Sequence, residues 1–206
     1  MTLFRHQDVP YHSQWRSPEL VADIVEKRID ACDDPRWQEN GFDDGDQYRF
    51  WSWKLCGLAC LESALDYWSI AHGTRLSLLL RALEYGAYRM RADGGVDGLI
   101  YRPFADWLAD DFGLKVEVFG DHELTDIAAQ LDESTLAMAS VSPEIRRPDA
   151  PNERRGGHLV LLHGRSPQGV WFHNPSGIPP QQADVFLPYP VFSRFYAQRG
   201  MTLRRA

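Results

Sequence analysis

Cys56, His158 and Asn174 are the residues from which this sequence can build chemistry. Cys56 stands in WKLCGLACLESALDYW, where an aperiodic stretch gives way to a helical repeat. Leu58, Leu61, Leu65 and Trp68 form one apolar stripe, and Cys60, Ala64, Tyr67 and Ala71 form its neighbour. A thiol in the first turn of such a helix meets N–H groups with no intrahelical partner and the positive end of the macrodipole, and both favour the thiolate. A low-pKa nucleophile is expected at Cys56. Gly57, having no side chain, leaves substrate free to approach the N–H beside the sulfur, where an oxyanion would be held. Both Cys56 and Cys60 also suit small core residues, as most free cysteines do, and Cys60, one turn deeper, suits that role better.

His158 opens the strand-like run HLVLLHG directly after Gly156 and Gly157, which let the chain turn in closely. Period-two alternation groups His158 with Val160 and Leu162, and His163 with Leu159 and Leu161, on opposite faces. Only one of the two histidines is then expected to face a cysteine on a packed helix, and His163 is expected to point away. The next run, VWFHNPSG, ends on Asn174, whose amide is placed to accept the imidazole Nδ1–H and turn Nε2 toward the thiol. Asn-Pro-Ser-Gly is also an ordinary turn sequence. Trp51 and Trp53 lie within five residues of Cys56, so chain connectivity brings at least one of them to the cleft.

The elements that must position these groups follow from periodicity. DVPYHSQW reads as extended. Ser17 as N-cap, Pro18 and Glu19 then open a helix through about Asp30. The stretch from Ala31 to Trp53 reads as a long acidic, aromatic loop that packs down, either over or beside the cleft or against an exposed edge on the far side. Helices are expected at 56–72, 77–85, 103–111 and, capped by Asp121, 121–131. Strands are expected at 114–119, 136–141, 158–163 and 170–173. Helices early and strands late predict an α+β fold, a buried nucleophile helix packed on an antiparallel sheet, in one domain over 1–206 with no internal repeat and no second hydrophobic core.

Composition narrows the function. The 206 residues are 44% hydrophobic, enough for one substantial core. The net charge of −7 and the acidic run from Asp30 to Asp46 disfavour a nucleic-acid partner. No signal-like or membrane-spanning apolar stretch is present, so a soluble, cytoplasmic protein with no membrane partner is expected. Three cysteines suit neither a disulfide framework nor a zinc site, and no metal or cofactor is expected.

In their order, VPYHSQ, CGLACL, LAMASVS, HLVLLHG and FHNPSG resemble the papain-like cysteine peptidases of the bacteriocin-processing type, which remove double-glycine leader peptides, and their free-standing bacterial relatives. The resemblance runs from Val9 to Gly177. It implies a papain-like fold with Gln14 as oxyanion-hole donor, Cys56 as nucleophile, His158 as general base and acid, and Asn174 as the orienting residue; Cys60 matches a non-catalytic family cysteine. Trp53, Gly57 and Gly157 are the expected substrate-binding positions.

Two departures stand out. The interval from Gln14 to Cys56 is far longer than in the leader peptidases, which makes about 17–53 an insertion. Asn174 replaces the commoner Asp. The chain stops soon after the peptidase-like region, so transport of the product by the same polypeptide is not expected.

The expected reaction is attack of Cys56 on a carbonyl to give an acyl-enzyme, with a peptide or acyl substrate as partner. Hydrolysis, acyl transfer or peptide-bond formation in a biosynthetic pathway, and silent peptide binding all remain open. The loop PEIRRPDAPNERRGG reads either as a solvated loop or as an arginine clamp for acidic peptides, on which the acidic insertion would dock in the absence of substrate.

Overall fold

Leu136 to Val141 and Leu159 to Leu162 are apolar at nearly every position, and strands of that composition have to be covered on both faces. The computed structural model, which describes residues 2–205, puts them at the centre of an antiparallel sheet. Its strands are β1 (Phe4–Arg5), β4 (Lys115–Gly120), β5 (Thr135–Val141), β6 (His158–Arg165), β7 (Gly169–His173), β8 (Val185–Pro188) and β9 (Tyr196–Arg204). The order is β4-β9-β5-β6-β7-β8, with β1 paired to the far end of β6. A separate hairpin joins β2 (Arg89–Met90) to β3 (Val96–Asp97).

Alternation sorts the strand residues between two hydrophobic cores. Leu136, Met138, Leu159, Leu161, Met201 and Leu203 pack with the helical half of the chain. Ala137, Ala139, Val141, Val160, Leu162 and Phe172 pack on the other side, under α6 (Leu124–Ala129) and α7 (Tyr189–Phe192). The expectation of one core is corrected here: two short helices late in the chain suffice to cover the second face.

The helical half is built on α3 (Cys56–Tyr67), buried from Gly57 through Leu65 and packed on β6. Helix α4 (Arg75–Glu84) packs on α3, and α5 (Tyr101–Phe112) packs on α4 and β4. Among the described residues no helix is long and apolar enough to cross a membrane.

The segment before α3 departs most from expectation. In place of a helix over 17–30 there is a 3-10 turn at Pro18–Leu20 and a short α1 (Val21–Val25). Ser17 does not cap it, because its hydroxyl donates to Asp34 Oδ1 at 2.6 Å, and Lys27 at φ +58° has left helical backbone. The expected loop contains α2 (Gly45–Ser52), capped by the Asp44 carboxylate on the N–H groups of Asp46 and Gln47. Asp121, at φ +57°, likewise caps nothing, and α6 starts at Leu124. Phe42, Tyr48 and Trp51 are buried in the helical core, so the segment is packed structure that ends at the nucleophile helix.

Candidate active site

Where α3 begins beside the start of β6, the protein opens a cavity of about 520 Å3. Cys56, His158, Trp53 and Gly157 all line it, together with Lys54, Tyr88, Leu99, Tyr101, Ser140, Leu159 and Arg199. Leu55 is the N-cap of α3, so Cys56 occupies the first helical position. The N–H groups of Cys56, Gly57 and Leu159 all favour its thiolate. The peptide of Leu159 lies between the two helix cysteines, because its carbonyl accepts from Cys60 Sγ at 3.6 Å. His158, the residue before it, lines the same cavity as Cys56.

His158 is placed by its position at the open end of the strand. The strand residues that pack against α3 are Leu159 and Leu161, so period-two parity alone would have chosen His163. His163 lies five positions further along the strand on the same side as Leu161, beside His173 at a ring distance of 4.5 Å. It does not line the cavity with Cys56.

The imidazole orientation is the reverse of the expected one. Asn174 Oδ1 accepts from His158 Nε2–H at 2.8 Å, and Ser176 Oγ lies 3.1 Å from the same nitrogen. The basic lone pair is therefore on Nδ1. Ser176 was not singled out from the sequence. Its backbone N–H also donates to Asn174 Oδ1 at 3.3 Å, and its hydroxyl and carbonyl accept from Arg146 Nη2 and Nε, each at 2.7 Å. Arg146 thus stands behind the histidine as a largely buried cation. Burial lowers its pKa to about 10, with the Cys56 charge opposing that shift.

These surroundings set the charge state. Burial pushes the Cys56 thiol up, against the helix N–H groups and Arg146, which pull it down. Burial and then Arg146 lower His158 to about 3, with Asn174 opposing. Desolvation thus works against the thiolate that the helix position favours, and likewise against a protonated His158.

The other expected residues take varied places. Gly157, at φ +93°, has open space where a side chain would be, whereas Gly57 is packed beneath the wall. A Cβ on Gly57 would come within 3.1 Å of both Leu99 and Leu159, so the lack of a side chain there serves wall packing as well as access. Trp53 packs edge-on to Trp15 at 4.9 Å. Gln14 is buried and does not line the cavity. Its N–H donates to Pro175 O at 2.6 Å and its amide Nε2 to Ser52 O at 2.8 Å, so it bridges the residue after Asn174 and the end of α2.

The arginine loop divides. Arg146 turns inward, Arg154 approaches Glu144 at 3.7 Å, and Arg147 pairs with Glu26, just past α1. The insertion therefore does touch this loop, through Glu26.

His163, His173 and Asp184 form a second cluster whose ligand-type atoms lie within 4.8 Å of one another. The hydrogen bonds argue against a cation there. His173 Nε2 donates to Val9 O at 2.9 Å, its Nδ1 accepts from the Asp184 N–H at 3.1 Å, and Arg5 holds Asp184 at 2.6 Å. His173 has no lone pair left for a metal.

The buried histidines make stability pH-dependent. Burial, with smaller charge effects, depresses both His158 and His163 to about 3, while an unfolded histidine titrates near 6.5. Their neutral forms stabilise the fold fully above about pH 6.5, and that contribution is lost as pH falls toward 3. The slope is about 1.4 kcal/mol per pH unit for each. Urea unfolding at pH 7.5 and 5.5 is expected to show a fall of roughly 3 kcal/mol. Equal stability at the two pH values would contradict the burial of these imidazoles.

The fold is a mixed helix and antiparallel-sheet arrangement. No protein-family model matches the chain, and no curated protein matches it. Among solved structures, this chain is similar to the crystal structure of a double glycine motif protease from an AMS/PCAT transporter in complex with the leader peptide. That match has 16% identity and a TM-score of 0.48, over 73% of this chain and 84% of the other.

Proposed function

We propose that this chain is a thiol-dependent hydrolase of peptide or amide bonds that works through an acyl-enzyme on Cys56. The observation that carries the reading is a thiol at the first position of a buried helix sharing one cavity with a histidine whose Nε2–H is held by Asn174.

The steps follow from that arrangement. As the Cys56 sulfur bonds to the carbonyl carbon, its proton passes to Nδ1 of His158. Asn174 and Ser176 keep the ring from turning, and Arg146 offsets the charge growing on sulfur. The oxyanion is held by the Cys56 N–H, and the Gln14 amide, buried and bound to Ser52 O before substrate enters, turns its second hydrogen toward it once the cavity is filled. Collapse breaks the C–N bond, and the leaving nitrogen takes the proton from Nδ1. Water then attacks the thioester while Nδ1 accepts its proton, which releases the acid and restores the thiol. An amine in place of water would give acyl transfer by the same steps.

The chain works as a single domain over 1–206. The segment at about 17–53 is an insertion that restricts the cavity through Trp53. Three free cysteines and a thiol nucleophile suit a reducing, cytoplasmic setting.

Peptide amides incubated with enzyme in the presence and absence of millimolar primary amines test the reading. Free acid is expected as the main product even with amine present. Products made only when amine is added would replace hydrolysis with acyl transfer.

Gln14 has its own test. Gln14→Ala is expected to lower kcat by about 10^2- to 10^3-fold with little change in KM, the signature of a group that acts on the oxyanion. A loss under threefold would remove Gln14 from the hole.

A further inference from the structure

The chain carries 29 acidic and 22 basic residues, yet the cavity at Cys56 is lined by two cations and no carboxylate. Lys54, one of the two, is already engaged. Its ammonium donates to Phe50 O at 2.6 Å and lies 3.8 Å from the Phe50 ring centre. Arg199 is different: Arg81, Arg147 and Arg154 are paired with carboxylates, whereas among the described residues no carboxylate pairs with Arg199.

Local backbone holds Arg199 at the cavity. The pairing of β5 with β9 is irregular between Ala139 and Val141, and Gln198 sits at φ +54°. Irregularities of this kind re-aim side chains. The guanidinium stands over the glycine turn that leads into His158. A Cβ built on Gly156 would lie 3.0 Å from Arg199 Nη2 and 3.4 Å from Ser140 Oγ. Tyr101 lines the cavity together with both of these side chains. A guanidinium fork, a phenol and a hydroxyl therefore converge on one wall, a donor set suited to a planar carboxylate.

We propose that Arg199, with Tyr101 and Ser140, forms a carboxylate-binding subsite of the Cys56 cavity, so that the substrate is an acidic one with a carboxylate near the reacting carbonyl. The proposal rests on Cys56 being the nucleophile. It gives the acidic-substrate role to a residue outside the 143–157 loop, whose Arg146, Arg147 and Arg154 are occupied within the protein and whose Arg155 does not line the cavity.

Three affinity reagents that differ only in charge test this: N-iodoacetyl-glutamine amide, which is neutral; N-iodoacetyl-glutamate α-amide, with a side-chain carboxylate; and N-iodoacetyl-glutamine, with a terminal one. Alkylation rates at Cys56 are read by peptide mapping and normalised to free cysteine. At least one acidic reagent is expected to react roughly tenfold faster than the neutral one, and which of them does so identifies a side-chain or a terminal carboxylate as the ligand. The preference should shrink with added salt, collapse in Arg199→Gln and survive in part in Arg199→Lys. Equal normalised rates in the native protein, or a preference unchanged in Arg199→Gln, would overturn the subsite. If Cys56 is alkylated by none of the three, the nucleophile assignment fails and the subsite falls with it.

Discussion

Cys56→Ala is expected to lower turnover on the order of 10^5-fold while leaving thermal stability nearly unchanged. The thiol sits at the rim of the helical core with its sulfur toward the cavity, so its removal takes away chemistry and little packing. Cys60→Ala is expected to do the opposite. Cys60 is 2% exposed and its thiol bonds the Leu159 carbonyl, so its loss should cost about 1 to 2 kcal/mol with activity retained. The pair is informative because both cysteines are on one helix against one strand residue. Kinetics and urea unfolding on both variants check it. Equal inactivation by the two changes would mean that Cys56 acts through packing.

Arg75→Met is expected to destabilise the protein by about 3 to 5 kcal/mol. Arg75 is 2% exposed and Glu62, on the buried face of α3, is 5% exposed. Arg75 Nε donates to Glu62 Oε2 at 2.8 Å and Nη2 contacts the same oxygen, while Nη1 donates to the carbonyls of Ser13 and Gln14, each at 2.7 Å. Removing the arginine alone leaves a buried carboxylate without its counter-charge and two carbonyls without donors. Adding Glu62→Leu removes the stranded charge and is expected to recover about half of the loss. Activity should stay low in the double variant, because the backbone of Gln14 is still untied. Urea unfolding and kcat on the single and double variants separate the two effects. A double variant no more stable than Arg75→Met would show that the carboxylate is not the main cost.

The parts of the site legible in the sequence were those in which a local pattern and a chemical type coincide. The stripe after Cys56 marked α3 because nearly every side of that helix is buried. The run after His158 marked β6 because both faces of the sheet are covered. What was missed depends on tertiary context. β9 is half polar, and Gly200 interrupts it where Met138 O comes within 2.1 Å of a Cβ position, so it reads as an irregular tail although it lies between β4 and β5. α2 has only Tyr48 and Trp51 as buried apolar residues, and its Asp44 cap is hidden in an acidic run.

Parity grouped the faces of β6 as they stand, Leu159 with Leu161 and Val160 with Leu162, but the helix covers the Leu159 face, so parity does not select His158, which lines the cavity from the strand end. The ring orientation of His158 depends on Ser176 and Arg146, which reach it from separate loops. Arg199 reaches the cavity only through the irregular pairing of β5 with β9, for which the sequence carries no local signal.

The central claim is that Cys56 forms the acyl-enzyme with His158 as its base. Intact mass and peptide mapping after brief exposure to an activated acyl ester, followed by acid quench, test it most directly. One acyl group is expected on the peptide containing Cys56, formed much more slowly in His158→Ala and absent in Cys56→Ala. Acylation spread evenly over Cys32, Cys56 and Cys60, or unchanged in His158→Ala, would contradict it.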